Sequence, residues 1–340
     1  MKDQICLVPK LSGLGGMVSF QAKLIQGLAD RGIPTTFDLN NQKNTAILII
    51  GGTRQLLKVW RAKGRGVRLY QRLNGMNWMH RVEKTPLRLA VKAEANNLTL
   101  AFIRRFLADG IIYQSGFSRN WWDRVYGQSG VATHVVYNGV DLAQYIPQGE
   151  ESPPEDHYRI LLVEGHLTGS YARNVETGVQ LLHHLHGKTD KPVELMVVGE
   201  ASQSLISKIN TESDGWVTWR GVIPRDEIPS IDRSAHLLFS TDLNAACPNS
   251  VIEALACGTP ILAYDTGALK ELVQEGAGRV VPYGTDHWQL EPPQIEPLAV
   301  ACLDILHNNA SYRKKARQRA ETSFSLDQMV EGYLAAMGVK

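Results

Sequence analysis

Short, nearly unbroken apolar runs recur along this chain, separated by longer stretches with helical spacing. "QICLV", "AILII" and "GIIY" stand in the first half, and "RILLV", "VELMVV", "HLLFS" and "ILAY" in the second. A strand with one wet face alternates polar and apolar residues; a strand apolar at every position must be covered on both faces. The intervening amphipathic segments supply those covers and the crossovers that parallel strands need. The pattern predicts strands at 4–8, 46–50, 67–71, 110–113 and 133–137, with helices at 17–31, 54–62, 87–107 and 118–126. It restarts with strands at 159–163, 193–198, 216–219, 236–240 and 261–264 and helices at 174–185, 202–209, 298–306, 311–320 and 326–337. Between the halves lies "PQGEESPPEDH" (147–157), rich in Pro and acid, which reads as a connection. At 340 residues the chain exceeds what one core supports. The expectation is α/β: two doubly wound, Rossmann-like domains, 1–150 and 151–324, with ligand bound in a cleft at the carboxyl ends of their strands.

Bulk properties exclude several functions. A net charge of +2 gives no support for binding nucleic acid. Arg104-Arg105 and Arg313-Lys314-Lys315 read as solvated helix faces. The four cysteines have neither zinc-site spacing nor disulfide density, in keeping with a reduced, cytoplasmic setting. The start "MKDQICLVPK" reads as a first strand rather than a signal peptide, and no apolar run is long enough to span a membrane.

Two loops can carry chemistry. "PKLSGLGGMVSF" puts Gly13, Gly15 and Gly16 between the first strand and the first helix, where glycines let backbone amides approach an anion. Val18 stands where the dinucleotide fingerprint has its third glycine, so a tight turn without ligand is an equal reading. "CPNSVIEALACGTPILAYDTGALKELV" (247–273) opens a helix directly after a strand and a polar loop. There "SVIE" reads as a capping box, with Ser250 as N-cap and Glu253 reaching back to it. The competing reading gives the amides of Asn249, Ser250 and Val251 to a diphosphate and Glu253 to a ribose diol.

"NSVIEALACGTPILAYDTGALKELV" resembles the signature of the retaining glycosyltransferases of family 4, the group 1 glycosyl transferases with the GT-B fold. "GLGGMVSFQAKLIQGLADRG", "DGIIYQSGFSRNWWDRVYG", "VVYNGVDLAQY", "ELMVVGE", "VTWRGVIPRDEIPSIDRSAHLLFSTD" and "FSLDQMVEGYLAAM" agree in order and spacing, nearly end to end. The resemblance implies that Glu253 holds the nucleotide ribose, that Asn249, Ser250 and Val251 receive the donor diphosphate, and that Gly15 and Gly16 close over phosphate and acceptor. Arg220 to Val222 match the contact with the nucleobase. In "VEGHLTGSYARNVETG", His166 falls where the family has an Arg and Arg173 near its Lys. Arg173 is the better phosphate ligand, being permanently charged and bidentate. It also implies that the closing helix, 325–340, packs back on the first domain.

Two positions depart from the family. Ala245 stands where an acid usually binds the donor sugar, leaving Asp242, Asn244 or the loop backbone to replace it. Asn74-Gly75 stands where a His is usual, so Asn74 is a candidate contact to sugar as well as a turn residue. No D-x-D pair occurs, so a metal ion is not required, and the donor is a substrate rather than a cofactor. The resemblance implies front-face transfer with retention, with domain closure about 147–157 excluding water. The acceptor is expected on the first domain near 72–88. There "MNWMHRVEKTPLRLAVK" mixes Met76, Trp78 and Met79 with basic residues, and reads either as a peripheral membrane contact or as an amphipathic core helix. A nucleotide-sugar epimerase or hydrolase, and a non-catalytic nucleotide-sugar-binding subunit, are the alternatives to transfer.

Overall fold

The computed structural model describes residues 3–13, 15–167 and 171–339. The chain forms two compact units, Met1–Gly139 with Leu326–Lys340, and Val140–Ser325. The division comes at Gly139–Val140 rather than after residue 150. Val140 already donates to the Phe324 carbonyl (2.8 Å) and Arg317 to the Tyr145 carbonyl (2.7 Å), so the linker-like stretch 147–157 lies inside the second unit.

The first unit holds a parallel sheet of β1 (Gln4–Val8), β2 (Thr35–Thr36), β3 (Asn44–Ile50), β4 (Arg68–Leu73), β5 (Gly110–Tyr113) and β6 (Ala132–Val135), in the order β2-β1-β3-β4-β5-β6. Its helices are α1 (Gly16–Asp30), α2 (Leu56–Gly64), α3 (Leu87–Phe102) and α4 (Gly116–Tyr126). Period-2 alternation divides each strand between two cores. Ile5, Leu7, Leu48 and Ile50 meet Phe20, Leu24 and Leu28 of α1 on one face. Cys6, Val8, Ile47 and Ile49 meet Val59 and Ala62 of α2 on the other.

After Phe102 the helix widens into a single π turn, Ile103–Leu107, which puts Ile103, Arg104 and Leu107 inward. Arg104, expected on a solvated face, is 2% exposed. It donates to the Tyr113 hydroxyl (2.8 Å), the Gly127 carbonyl (2.8 Å) and the Asp123 carboxylate, which compensates for burying its charge.

The second unit repeats the plan with β7 (Tyr158–Leu167), β8 (Val193–Ala201), β9 (Val217–Gly221), β10 (Leu237–Ser240), β11 (Ile261–Tyr264) and β12 (Gly278–Val281). They are all parallel, in the order β12-β11-β10-β7-β8-β9. Helices α5 (Ala172–Leu185), α6 (Gln203–Glu212), α7 (Ile228–Arg233), α8 (Asn249–Ala256), α9 (Leu269–Leu272), α10 (Glu296–His307) and α11 (Asn309–Ser323) connect and cover the strands. β7 and β8 outrun their neighbours, staying paired to Leu167 and Ala201 beyond an irregularity after Val163.

The last helix, α12 (Leu326–Met337), belongs to the first unit. It packs on α1: the rings of Phe20 and Tyr333 lie 5.1 Å apart, and Gly27 makes room for Val330. The Tyr70 hydroxyl donates to the Met337 carbonyl at 2.9 Å, locking the end of α12 against β4. Among the described residues, no helix is long and apolar enough to cross a membrane.

Candidate functional site

In the second unit the chemistry collects at the carboxyl ends of the central strands β7 and β10, where a doubly wound sheet leaves room for ligand. α8 opens there. Its N-cap is Pro248 and its first residue Asn249, so Ser250 is not the cap and Glu253 is the fifth helical residue, too deep to close a capping box. Proline explains the displacement: its fixed φ and missing N–H suit it to the helix entrance, and its carbonyl accepts from Ile252 N at 3.5 Å. Asn249, Ser250 and Val251 are therefore the first-turn residues, whose amides face out along the positive end of the helix dipole. The rest of the helix is anchored by Val251, Ile252, Ala254, Leu255 and Ala256, all buried.

Glu253 is half-buried. Burial first, and then the Glu253 charge, push the carboxyl of Asp232 well above the usual carboxylate range. The phenol of Tyr145 is raised for the same two reasons. Glu253 thus sits among groups that burial keeps protonated.

The loop from β10 to α8 holds the least satisfied polar group of the unit. Asn244 is 3% exposed, adopts a left-handed φ of 58°, and neither atom of its carboxamide has a hydrogen-bond partner among the described residues. The Thr266 hydroxyl is buried in the same condition. Both belong to one tight contact: a Cβ on Gly267 would fall 2.5 Å from the Ala245 backbone, and Ala268 N donates to the Ala245 carbonyl at 2.9 Å. Ala245, where the resemblance leads one to look for an acid, is committed to this packing. Orphaned buried amides are rare enough to require a reason, and a polar ligand supplies one.

Glu164, near the end of β7, meets Asp242, just after β10, across the strand pair. Burial, then the Asp242 charge, raise the Glu164 carboxyl to about 8, while the Thr241 hydroxyl donates to it at 3.4 Å. Burial raises Asp242 to about 6. At neutral pH the two carboxyls share a proton, which halves the negative charge facing this edge.

Arg173 is exposed in the first turn of α5, and its charge reaches the Tyr283 phenol. A cation at a helix N-terminus opposes the dipole, and an anion bound beside it would offset that cost. His166 lies on the β7 extension with its Nδ1 2.8 Å from Glu200 Oε2, both side chains 64% exposed. Arg220 and Val222 mark the end of β9, two strands from β7, and both are exposed.

In the first unit, Gly15 caps α1 with φ 119° and Gly16 is its first residue. Nothing lies within 4 Å of a Cβ built at Gly13 or Gly15, so glycine is needed there for its left-handed backbone, not for space. Asn74 follows β4. Its carbonyl accepts from Trp122 Nε1 (2.7 Å) and Ser118 Oγ (3.0 Å), and its Oδ1 accepts from Arg72 (3.1 Å). Arg72, 1% exposed, also donates to Asn138 (2.9 Å) and lies 3.7 Å over the Phe20 ring of α1. Thus Asn74 and the glycine turn are tied together through α1. Met76 and Trp78 are buried, so they form no exposed surface.

Sequence reasoning passed over Arg72, Asn138, Glu164 and Thr266. Glu164 had a signal, an acid directly after the apolar run Ile160–Val163. The others become visible only through contacts between distant strands.

Residues 159–308 match the family model described as "Glycosyl transferases group 1". A GDP-mannose-dependent alpha-(1-6)-phosphatidylinositol dimannoside mannosyltransferase of Mycobacterium tuberculosis is 23% identical over 237 residues, 68% of this chain; the chain spans 58% of that relative's length. Among solved structures, sucrose-phosphate synthase from Thermosynechococcus elongatus superposes with a TM-score of 0.76 over 100% of both chains at 17% identity. Anabaena HepE, solved in complex with UDP and glucose, gives 0.67 over 99% of both at 16%. With two parallel six-stranded sheets and these structural neighbours the chain has the GT-B fold, and over residues 159–308 it is similar to the group 1 glycosyl transferases.

Proposed function

We propose that the chain transfers a sugar from a nucleoside diphosphate, a UDP- or GDP-sugar, to a hydroxyl of a glycan, lipid-linked or small-molecule acceptor, retaining anomeric configuration. The observation that carries this reading is the opening of α8: first-turn amides beside an orphaned Asn244 carboxamide, at the carboxyl end of a parallel sheet. A helix N-terminus takes phosphate, and a buried amide beside it suits a sugar hydroxyl. The likeness of residues 159–308 to the family model, the UDP and glucose named for HepE and the GDP-mannose named for the mycobacterial relative support the same donor class.

In this reading the second unit, 140–325, holds the donor, and the first, 1–139 with the closing helix, the acceptor. The amides of Asn249, Ser250 and Val251 and the Arg173 guanidinium carry the diphosphate, and Glu253 the ribose. Arg220 and Val222 flank the base, and Asn244 does the work of the missing acid at Ala245. Gly15, Gly16 and Asn74 meet the acceptor; His166 stays at the phosphate edge, held by Glu200. The bond from the anomeric carbon to phosphate breaks, the acceptor oxygen bonds to the same face, and its proton passes to the departing phosphate oxygen. Arg173 and the α8 amides meet the charge that develops there, so no metal ion is needed. The protein works in the cytoplasm.

A thermal-shift panel of UDP-, GDP- and ADP-sugars tests the donor. Ligand at one hundred times its dissociation constant stabilises by about 2.7 kcal/mol, which moves the melting of a unit this size by roughly 5–11 °C. No shift with any of them would end the proposal. Ala245 favours one second reading, a subunit that binds donor without turning it over; detectable transfer to any acceptor removes it.

A further inference from the structure

Helix α3 is built inside out. Among its described residues the one buried side chain is Asn97, whose carboxamide accepts from Asn77 N (3.0 Å) and donates to the Asn77 carbonyl (2.8 Å). Glu94 gives a second polar anchor, 2.6 Å from Arg81 and 2.8 Å from His80; the Arg81 bond holds its carboxyl down at about 2. Most of its large apolar residues face away, though Leu100 packs toward Gly51 and Gly52. Leu87, Val91, Leu98 and Phe102 are 79%, 59%, 60% and 45% exposed, and Phe106 in the π turn is 67% exposed. Their spacing repeats every four residues or about twice that, a single stripe roughly a third of a turn around the helix from Asn97, while Leu89, 53% exposed, lies off it.

The stripe does not stop at α3. Leu57 and Trp60 of α2 are 71% and 64% exposed, and grooves lined from both helices, by Trp60 with Phe102 and by Leu56 with Leu98 and Phe106, join them into one surface. A soluble monomer seldom leaves so large an apolar area uncovered without a use for it.

Charge identifies the occupant. Residues 54–65 carry Arg54, Lys58, Arg61, Lys63 and Arg65 with no acid among them, and Arg88 and Lys92 flank the α3 stripe. The lone acid of α3, Glu94, is engaged by Arg81 and His80. Lys63 is paired with Asp109 at 2.6 Å, and the other basic residues leave this surface net positive in a chain whose whole net charge is only +2.

We propose that this face of the first unit docks on an anionic lipid bilayer. α3 and the π turn lie along the headgroup boundary with their stripe inserted, and the basic residues rest on the lipid phosphates. Met76 and Trp78, which the sequence offered for this contact, take no part because they are buried. The inference concerns binding alone and stands whether or not the proposed transfer is right.

Co-sedimentation with phosphatidylcholine vesicles, with and without phosphatidylglycerol, tests it without any donor. The full chain should pellet with the mixed vesicles and stay in solution with the neutral ones. Lys58→Gln and Arg61→Gln should each weaken partitioning about fivefold. The triple variant Leu98→Ser, Phe102→Ser, Phe106→Ser should abolish it while the far-UV circular dichroism is unchanged. Brominated lipid should quench Trp60, read as the difference between wild type and Trp60→Phe. Equal binding to neutral vesicles, no binding to either, or full binding by the triple variant would overturn the proposal. So would light scattering that shows a lipid-free dimer dispersed by the triple variant, since the surface would then belong to a second copy.

Discussion

Replacing Glu164 with glutamine removes one of the two carboxyls that share the ends of β7 and β10. Both stand above their ordinary values in the folded protein, Glu164 at about 8 against 4.5 and Asp242 at about 6 against 3.8. The folded state therefore keeps protons that the unfolded chain has released. Their stabilising contribution is complete below the unfolded values, near pH 4, and is lost as pH rises through 6 and then 8. At about 1.4 kcal/mol per unit, Glu164 alone has a ceiling of about 5 kcal/mol. Solvent reaches part of the side chain, which lowers the expected loss to about 2 kcal/mol. For a unit of this size that is roughly 4–8 °C of melting temperature. Differential scanning fluorimetry at pH 5.5 and 8.5 should show the wild type losing that much more than Glu164→Gln. Donor affinity should follow the same course, because above pH 8 a second negative charge faces the diphosphate edge. Parallel melting curves for wild type and variant would refute the reasoning.

Three further outcomes are expected. Asn244→Gly removes the carboxamide while suiting the left-handed backbone; kcat/KM should fall at least tenfold with UDP or GDP affinity unchanged, as isothermal titration would show. Arg173→Ala should lower turnover at least tenfold, Arg173→Lys should recover part of it, and chelation by EDTA should leave the wild-type rate as it was. Gly27→Ala puts a methyl 2.4 Å from Val330 Cγ2 and should cost about 1–3 kcal/mol in denaturant unfolding, a loss that Val330→Ala in the same chain restores.

The strands made almost wholly of apolar residues were legible because "QICLV" and "ILLV" need cover on both faces. β2 and β12 were not: edge strands need only one covered face, and "TT" and "GRVV" carry no pattern. α7 escaped because it opens beside Pro229 and buries Asp232 and Arg233, which read as surface residues. The local signature at Ser250 and Glu253 pointed to a capping box, and Pro248 overrode it. Periodicity located α3 but could not say which way its stripe points; the Asn77–Asn97 clamp decides that. The proton-sharing of Glu164 and Asp242 arises from a β7–β10 pairing between segments far apart in sequence, and the isolation of Asn244 from a single backbone angle. Neither is written in any neighbouring residue.

The return of α12 to α1 orders events during synthesis. A ribosome that has completed residues 1–139 has made every strand of the first sheet, yet Phe20, Leu24 and Tyr70 still lack the helix that covers them. That cover emerges only after the entire second unit. The earlier-made half of the nascent chain must wait, sticky and unfinished, for the later half. A stop codon or proteolytic cut near residue 325 would consequently damage the amino-terminal half of the protein rather than the half in which it falls.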